Sequence, residues 1–305
     1  MNRFFRTTKK IVSGVYKDFT ANDPVVYSAA IAFFTIFSMP SILFIIVSLL
    51  ETIPSIEQGA IQSTLSEQID DLMGQKASEQ IETLLQTAML SEQGFLNTLT
   101  SIIILFISAT AVFNFIQQGL NNIWEVKPKP KKGYLKFLKD RALSFSLIVV
   151  LGFLMLVFLI KDAVFGFFQQ LINNLVTSST SEIMVIANFV LSFGVTMLIF
   201  ALLFKVLPDA KIKWKDAWVG AFATAVLFTL GKYIIGILLN NMQITNAYDA
   251  AGSLVGILVW VFYSSIIVMI GGIFTKVYAN RYGKEIRPTS TSVRVEKREI
   301  EKEEG

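Results

Sequence analysis

The chain has 305 residues, of which 53% are hydrophobic and only 16% carry a charged side chain, a composition too apolar for a soluble domain of this length. It contains neither cysteine nor histidine, which excludes disulfides, thiol nucleophiles, imidazole bases and the usual zinc or haem ligands. We therefore expect a membrane protein that is not an enzyme and that holds no metal and no cofactor.

Charge-free runs long enough to cross a bilayer, about 20 residues for a helix, recur along the chain. Runs such as SLIVVLGFLMLVFLI are apolar on every face, whereas strands of a membrane barrel would alternate polar and apolar residues. The sequence therefore predicts an all-α polytopic protein whose domain, residues 25–280, contains six transmembrane helices. Their predicted ranges are 25–50, 95–121, 142–167, 183–206, 215–239 and 251–275.

Basic residues predict the orientation of these helices. The segments 1–24, 122–141, 205–215 and 276–305 hold 24 of the 27 lysines and arginines, whereas 51–94 holds one, Lys76, against eight acidic residues. Because basic loops stay in the cytoplasm, we expect both termini there, with 1–24 as a cytoplasmic segment. Residues 281–305 mix charges without apolar periodicity and predict a disordered cytoplasmic tail.

The first span contains Pro40 between Ser38 and Ser41. Proline removes a backbone donor, so we expect a helix kink that the two serine hydroxyls help to satisfy. The segment 51–94 that follows has apolar residues at helical spacing and predicts an outer amphipathic helical hairpin. Three interpretations stay open for this hairpin: a solvated element packed on the helices, a cap or membrane-surface layer over their outer ends, and a surface that docks a partner.

Four amides near the inner end of the second span, Asn114, Gln117, Gln118 and Asn121, share one helical face by their spacing. Such amides either hydrogen-bond between helices or line a wet cavity, where they could contact a substrate or lipid. The loop EVKPKPKKGYLKFLKDR then concentrates seven basic residues. It either fixes the topology or attracts anionic lipid. No folded module accompanies this charge, so we expect no nucleic acid as a partner.

Lys232 is a charged residue inside the fifth span, about 12 Å below the predicted outer end at Asn240. At about 100° per residue it shares a face with small residues, opposite a large apolar face, and should point towards neighbouring helices. An inward ionisable residue predicts a site for substrate or lipid, and its candidate partner is Asp249. A structural ion pair with Asp249 and snorkelling of the lysine are the alternatives.

Small residues in the sixth span predict close helix packing. They are Gly252 and Gly256, which form a GxxxG pair, and Gly271 and Gly272. GxxxG pairs occur within single chains and between copies of a chain, so a homo-oligomer stays open.

Several stretches together resemble the YihY family of bacterial inner-membrane proteins, also known through the virulence factor BrkB and formerly labelled ribonuclease BN. The likeness covers roughly residues 20–284 and includes AAIAFFTIFSMPSILF, LNNIWEVK and LPDAKIKWKDAWVGAFATAVLFTLGKYIIG. It implies six spans in the inner membrane and a role in envelope integrity, with transport of a lipid or amphiphile as the proposed activity. The alternative is a non-transporting envelope scaffold. Because histidine is absent, the ribonuclease label is not expected to apply.

Overall fold

The computed structural model describes residues 2–51, 82, 94–129, 180–241 and 252–296. Within these ranges the protein has six helices and four short strands. The helices are α1 (Asn2–Asn22), α2 (Pro24–Glu51), α3 (Phe95–Ile123), α4 (Thr180–Val206), α5 (Trp214–Asn241) and α6 (Gly252–Tyr282). The strands are β1 (Val126–Pro128), β2 (Ala210–Lys211), β3 (Arg287–Pro288) and β4 (Ser292–Arg294).

Five of these helices, α2 to α6, are long and apolar enough to cross a membrane. They coincide with five of the six predicted spans, in agreement with a helical polytopic membrane protein. The qualifying stretches are Pro24–Ser41, Leu96–Ile123, Phe189–Val206, Trp214–Ile237 and Val255–Tyr282. The third predicted span, 142–167, lies outside the described residues, as do most of the outer hairpin and most of the basic loop.

Local chemistry explains where several helices begin and end. Asp23 has a φ of 47° and is the one residue between α1 and α2. Pro24 suits the first position of α2, where its missing N–H would have no helical acceptor. At the end of α4, Pro208 disfavours helical geometry in the residue before it. The Gly283 amide continues the hydrogen bonding of α6 by donating to the Ala279 carbonyl at 3.0 Å.

Contacts divide the chain into two compact units. The first comprises Met1–Asn22, Gln117–Ala225 and Ile270–Gly305, and the second comprises Asp23–Ile116 and Val226–Met269. Each unit buries apolar side chains of its own. In the first unit these include Leu120, Ile123, Phe204 and Ile273, and in the second Ile31, Ala32, Ile257 and Met269.

The residues after α6 pair with two loops of the first unit. Strand β4 runs antiparallel to β1, with Val126 opposite Arg294, and β3 runs antiparallel to β2, with Ala210 opposite Pro288. The sequence predicts disorder from residue 281, and the structure differs here because backbone groups of 287–295 find partners in loops that are distant in sequence. The last nine residues, 297–305, lie outside the described part of the chain.

The N-terminal segment also has more order than its composition indicates. The sequence predicts only a cytoplasmic segment over 1–24, whereas the structure has the 21-residue helix α1. Gly14 faces α6, since a Cβ built at that position would lie 3.2 Å from Val277 Cγ1. A small residue therefore allows α1 to pack closely against the end of α6.

Candidate functional site

The helix that carries Lys232 has two different faces, as predicted. Ala221 and Ala225 of the small-residue face are fully buried. On the opposite face Phe222, Leu230, Tyr233, Ile234 and Ile237 are 51–64% exposed, and Val226 is partly buried. Lys232 itself is partly buried. The predicted small face is thus buried at Ala221 and Ala225, whereas its further members Thr229, Lys232 and Gly236 are only partly buried.

Two tyrosine side chains lie near the turn of α5 that contains Lys232. The Lys232 Nζ lies 5.9 Å from the centroid of the Tyr233 ring. A Cβ on Gly231 would overlap the Tyr263 hydroxyl, so α6 passes close to α5 at the preceding residue. Asp249 lies outside the described residues, and its pairing with Lys232 stays a prediction.

One turn earlier, the Phe228 and Trp260 rings meet edge to face with centroids 6.2 Å apart. Edge-to-face geometry is a favourable arrangement for two aromatic rings. Contacts between α5 and α6 therefore occur both at Gly231 and one turn before Lys232.

Two of the four predicted amides of α3 contact the same carboxylate. Gln117 Nε2 lies 3.3 Å and Asn121 Nδ2 lies 3.0 Å from Asp209 Oδ2. Asn121 Oδ1 in turn accepts a hydrogen bond from the Asp209 backbone N–H at 2.9 Å. Asn114 and Gln118 are exposed instead. For Gln117 and Asn121, the geometry favours the interpretation that these amides join segments of the protein.

Asp209 also forms hydrogen bonds with residues that follow α6. Its backbone carbonyl accepts hydrogen bonds from Ser292 Oγ at 2.6 Å and from the Thr289 N–H at 3.2 Å. Asp209 thus connects α3, the loop after α4 and the tail strands. The sequence reasoning missed this residue, although its position directly after an apolar span and Pro208 was a usable signal.

Helix α2 continues through Pro40 from Pro24 to Glu51. Proline leaves the carbonyl of Ile36 without its usual helical donor. The nearby Ser38 Oγ donates to the Thr35 carbonyl at 2.8 Å, one residue before the carbonyl that Pro40 leaves free. Ser38 and Ser41 are both buried, at 5% exposure each. Ser38 thus bonds the neighbouring Thr35 carbonyl and not the Ile36 carbonyl that Pro40 leaves free.

Helices α5 and α6 approach each other through two reciprocal contacts between glycine and threonine. A Cβ on Gly220 would overlap the Thr275 hydroxyl, and a Cβ on Gly271 would overlap the Thr224 hydroxyl. Each threonine hydroxyl donates to a carbonyl of its own helix, Thr275 to Gly271 at 2.6 Å and Thr224 to Gly220 at 2.7 Å. Both hydroxyls are therefore satisfied inside the contact, as buried polar groups require.

The neighbouring Gly272 is in contact with α3. Its carbonyl accepts a hydrogen bond from Trp124 Nε1 at 2.9 Å, and a Cβ at Gly272 would lie 2.5 Å from Leu120 Cδ2. The indole N–H of a buried tryptophan needs such a partner. Of the other two predicted packing glycines, Gly256 is buried and Gly252 is the first residue of α6.

The sequence gives little indication of a group of five charged side chains in the first unit, which we call the ion network. Its central member, Lys276, is only 8% exposed. Lys276 Nζ lies 2.8 Å from Asp18 Oδ2 and 2.9 Å from Glu125 Oε1. Arg294 Nη2 lies 3.8 Å from Glu125 Oε2, and Arg294 Nη1 donates to Glu285. Charges of opposite sign thus alternate from α1 to the tail.

Two features distinguish the part of the ion network that contains Glu125, Arg294 and Glu285. Glu125 has a φ of 57°, a left-handed conformation that is uncommon for residues other than glycine, asparagine and aspartate. The hydrogen bond from Arg294 and then its positive charge hold the pKa of Glu285 below its ordinary value. The same hydrogen bond raises the pKa of Arg294. The favourable interaction is therefore with the ionised carboxylate.

Asp216 lies in the first turn of α5 and is 2% exposed. Among the described residues its Oδ2 atom has no hydrogen-bond partner. A Cβ on Gly283 would overlap this carboxylate, so the residue after α6 packs directly against it. An acid in the first turn is favoured by the helix dipole, which compensates part of the cost of burial. Within the described ranges, no group of three or more acidic residues could hold a metal ion.

Comparison with known proteins relates the chain to a family of membrane proteins. A family model described as "Virulence factor BrkB" matches residues 15–296. The chain is 27% identical over 229 residues to a UPF0761 membrane protein of Glaesserella parasuis, a match that covers 74% of this chain and 76% of the relative. No solved structure matches.

Two further relatives are longer than this chain. A UPF0761 membrane protein of Psychrobacter is 25% identical over 263 residues, and one of Acinetobacter baylyi is 24% identical over 269 residues. These matches cover 83% and 87% of this chain, but only 45% and 61% of the relatives. The chain thus spans less than two thirds of the length of these two proteins.

Proposed function

Because the chain belongs to the virulence factor BrkB family of membrane proteins, we propose that it binds and moves a lipid or another amphiphile across the bacterial inner membrane. In this proposal both termini lie in the cytoplasm, as the distribution of basic residues predicts. Lys232 binds the anionic group of the amphiphile, and the apolar part of the same molecule contacts the surrounding hydrocarbon.

The observation that carries this proposal is a partly buried lysine inside the apolar stretch Trp214–Ile237. A lysine at the centre of a spanning helix costs about 2.5–3.5 kcal/mol on insertion scales. Its contact with the Tyr233 ring supplies about 0.5–1 kcal/mol when exposed and about 2 kcal/mol when desolvated. An anionic ligand supplies the larger compensation, because two opposite charges interact strongly in a medium of low dielectric constant.

The amides of α3 have a different role in this proposal. Gln117 and Asn121 donate hydrogen bonds to Asp209. They therefore stabilise the first unit and are not assigned to the ligand. The proposed ligand site is therefore limited to Lys232 and its predicted partner, Asp249. In this proposal the anionic group of the ligand takes the place of Asp249, the predicted counter-charge of Lys232.

The test compares Lys232→Met with Lys232→Arg in the full chain, reconstituted in vesicles with fluorescent phosphatidylglycerol. Transfer between leaflets is measured by chemical quenching of the outer leaflet. We expect Met to abolish transfer and Arg to retain most of it, because only Arg keeps the charge. The exposed Lys211→Met serves as the matched control. Wild-type transfer by a folded Lys232→Met protein would refute the proposal.

A second function, a non-transporting envelope scaffold, is favoured by the ion network. Its members bond to one another and join α1, the turn after α3, α6 and the tail, an arrangement suited to a fixed support. This function predicts that deletion of residues 55–90 removes a crosslinked partner while the remaining protein stays folded. An unchanged set of partners would count against it.

A further inference from the structure

Helix α1 carries exposed side chains over about half of its circumference. They include Lys9, Lys10, Val12, Ser13, Tyr16 and Lys17. With about 100° between successive residues, Val12 and Tyr16 lie about 40° apart, Lys9 lies about 20° beyond Tyr16, and Lys17 and Lys10 follow about 80° and 100° further around the helix. We call Val12 and Tyr16 the apolar band and the three lysines the basic band, in which Lys9 borders the apolar band and Lys10 and Lys17 lie at the far edge.

The remaining circumference of α1 faces the protein. Gly14 packs near Val277, and Asp18 pairs with Lys276 at 2.8 Å. Both contacts are with α6 and both lie on one side of α1, since Gly14 and Asp18 are one turn apart. Packing on α6 thus fixes the rotation of α1 about its axis and determines which residues point outwards.

The apolar band is strongly exposed for residues of its kind. Val12 is 61% exposed and Tyr16 is 71% exposed, and the two lie about 6 Å apart along the helix. They continue an apolar surface that includes the partly buried Val15 and Phe19. Tyrosine is enriched where proteins meet the boundary between water and membrane, because its ring is apolar and its hydroxyl is polar.

The basic band determines what kind of surface can cover α1. Asp18 is the only acidic residue of the helix, and it is engaged by Lys276 on the protein side. Lys9, Lys10 and Lys17 are therefore the exposed charges of the described α1 surface, and all three are positive. The positive charge of α1 is complementary to a surface with many phosphate groups.

The position of α1 in the chain agrees with such a partner. Only Asp23 separates α1 from α2, whose candidate membrane stretch begins at Pro24. The first exposed residues of that stretch, Val25 and Val26, are also apolar. The last turn of α1 therefore lies within a few residues of a helix that enters the membrane.

We propose that α1 is an interfacial helix that binds the surface of an anionic bilayer. Val12 and Tyr16 insert at the boundary between headgroups and acyl chains, and Lys9, Lys10 and Lys17 bind lipid phosphate groups. This inference rests on the faces of α1 and is independent of the function proposed for Lys232.

The native chain lacks cysteine, so single probes can be introduced into the full-length protein. Val12→Cys places an environment-sensitive fluorophore in the apolar band, and Ser13→Cys places the same fluorophore about 100° away, towards the basic band. Both proteins are reconstituted in nanodiscs of phosphatidylcholine, with or without phosphatidylglycerol. Spin labels on the lipid acyl chains then quench fluorophores that lie in the membrane.

We expect quenching at position 12 to be roughly twofold or more above that at position 13 and to rise when phosphatidylglycerol is present. Replacing Lys9, Lys10 and Lys17 by Gln should remove the dependence on phosphatidylglycerol. The matched control replaces Lys211, Lys213 and Lys215, which are also exposed, and should leave it intact.

Equal quenching at the two positions in both lipid mixtures would overturn the proposal. A phosphatidylglycerol effect that survives loss of the three α1 lysines would overturn it as well. If position 12 is buried in cells but exposed in nanodiscs, the partner is a soluble protein. This result would also contradict the proposal. Thermal unfolding of every variant shows that the comparison is made between folded proteins.

Discussion

Lys276 and Glu125 are 151 residues apart in the sequence, yet Lys276 Nζ lies 2.9 Å from Glu125 Oε1. The pair joins the end of α6 to the turn after α3, where Glu125 has a left-handed backbone. Lys276 also pairs with Asp18, so a single ammonium group neutralises two carboxylates. Removing it should cost more than removing either acid.

We expect Lys276→Met to lower the free energy of unfolding by about 2 kcal/mol, because Asp18 loses its ion pair with Lys276 and Glu125 keeps only the more distant Arg294. Partial exposure of both acids keeps the loss below that of a fully buried pair. Thermal unfolding in detergent measures the effect. Lys211→Met is the control, since this lysine is exposed and should change stability by less than about 0.5 kcal/mol.

A second substitution distinguishes lost charge balance from lost packing. Glu125→Gln in the Lys276→Met background removes a carboxylate that has lost the nearer of its two cations and should recover part of the stability. A double variant as unstable as the sum of both single variants would show that the two residues do not interact energetically.

Gly271→Ala should destabilise the contact between α5 and α6 by about 1–3 kcal/mol, because the added methyl group would overlap the Thr224 hydroxyl. Gly236→Ala is the matched control on α5, since in the described part of the chain no atom of another element lies within 4 Å of an added Cβ. It should be neutral or stabilising by up to about 1 kcal/mol, since alanine favours helix more than glycine does. Unfolding of both variants, followed by tryptophan fluorescence, checks the difference.

Asn121→Ala should cost about 1–3 kcal/mol, because it leaves the Asp209 N–H and carboxylate without this partner. Gln118→Ala removes an exposed amide from the same helix and should stay within about 0.5 kcal/mol of the native chain. Similar losses for the two variants would contradict the role assigned to Asp209. Denaturant titrations in one detergent allow a direct comparison.

The pKa of Glu285 should lie below its ordinary value of 4.5, as Arg294 favours the ionised carboxylate. A lowered pKa in the folded protein means that the contact stabilises the tail above the pKa of the unfolded chain and is lost as the pH falls through the folded value. Carbon NMR of the labelled carboxyl group measures this titration. Arg294→Gln should move the pKa of Glu285 upwards, and high salt should reduce the difference.

Hydropathy and helical periodicity predicted much of this architecture because they depend on neighbouring residues. Five predicted spans coincide with apolar helices, and the small face of α5 is buried at Ala221 and Ala225. Membrane helices satisfy their backbone groups within one segment, so composition alone is a strong signal for them. The predicted Lys232–Asp249 pair depends on a position outside the described residues.

Contacts between distant segments could not be predicted in the same way. Charge counts place Lys276 and Glu125 in basic loops, but only the fold brings them within 2.9 Å. The strands after α6 carry no apolar repeat, and their order comes from backbone pairing and from Ser292, whose hydroxyl donates to the Asp209 carbonyl. Such partners are 83 or more residues apart and leave no local pattern.

The pairing of residues 287–294 with earlier loops also imposes an order on biosynthesis. Strands β1 and β2 leave the ribosome well before β3 and β4, their partners, which follow the last spanning helix. Until α6 has been made, the Asp209 carbonyl lacks Ser292 and Glu125 lacks both Lys276 and Arg294. The first unit can therefore be completed only after insertion of its final helix, so that a nascent chain stalled before residue 287 should be more easily cleaved by proteases than the finished protein.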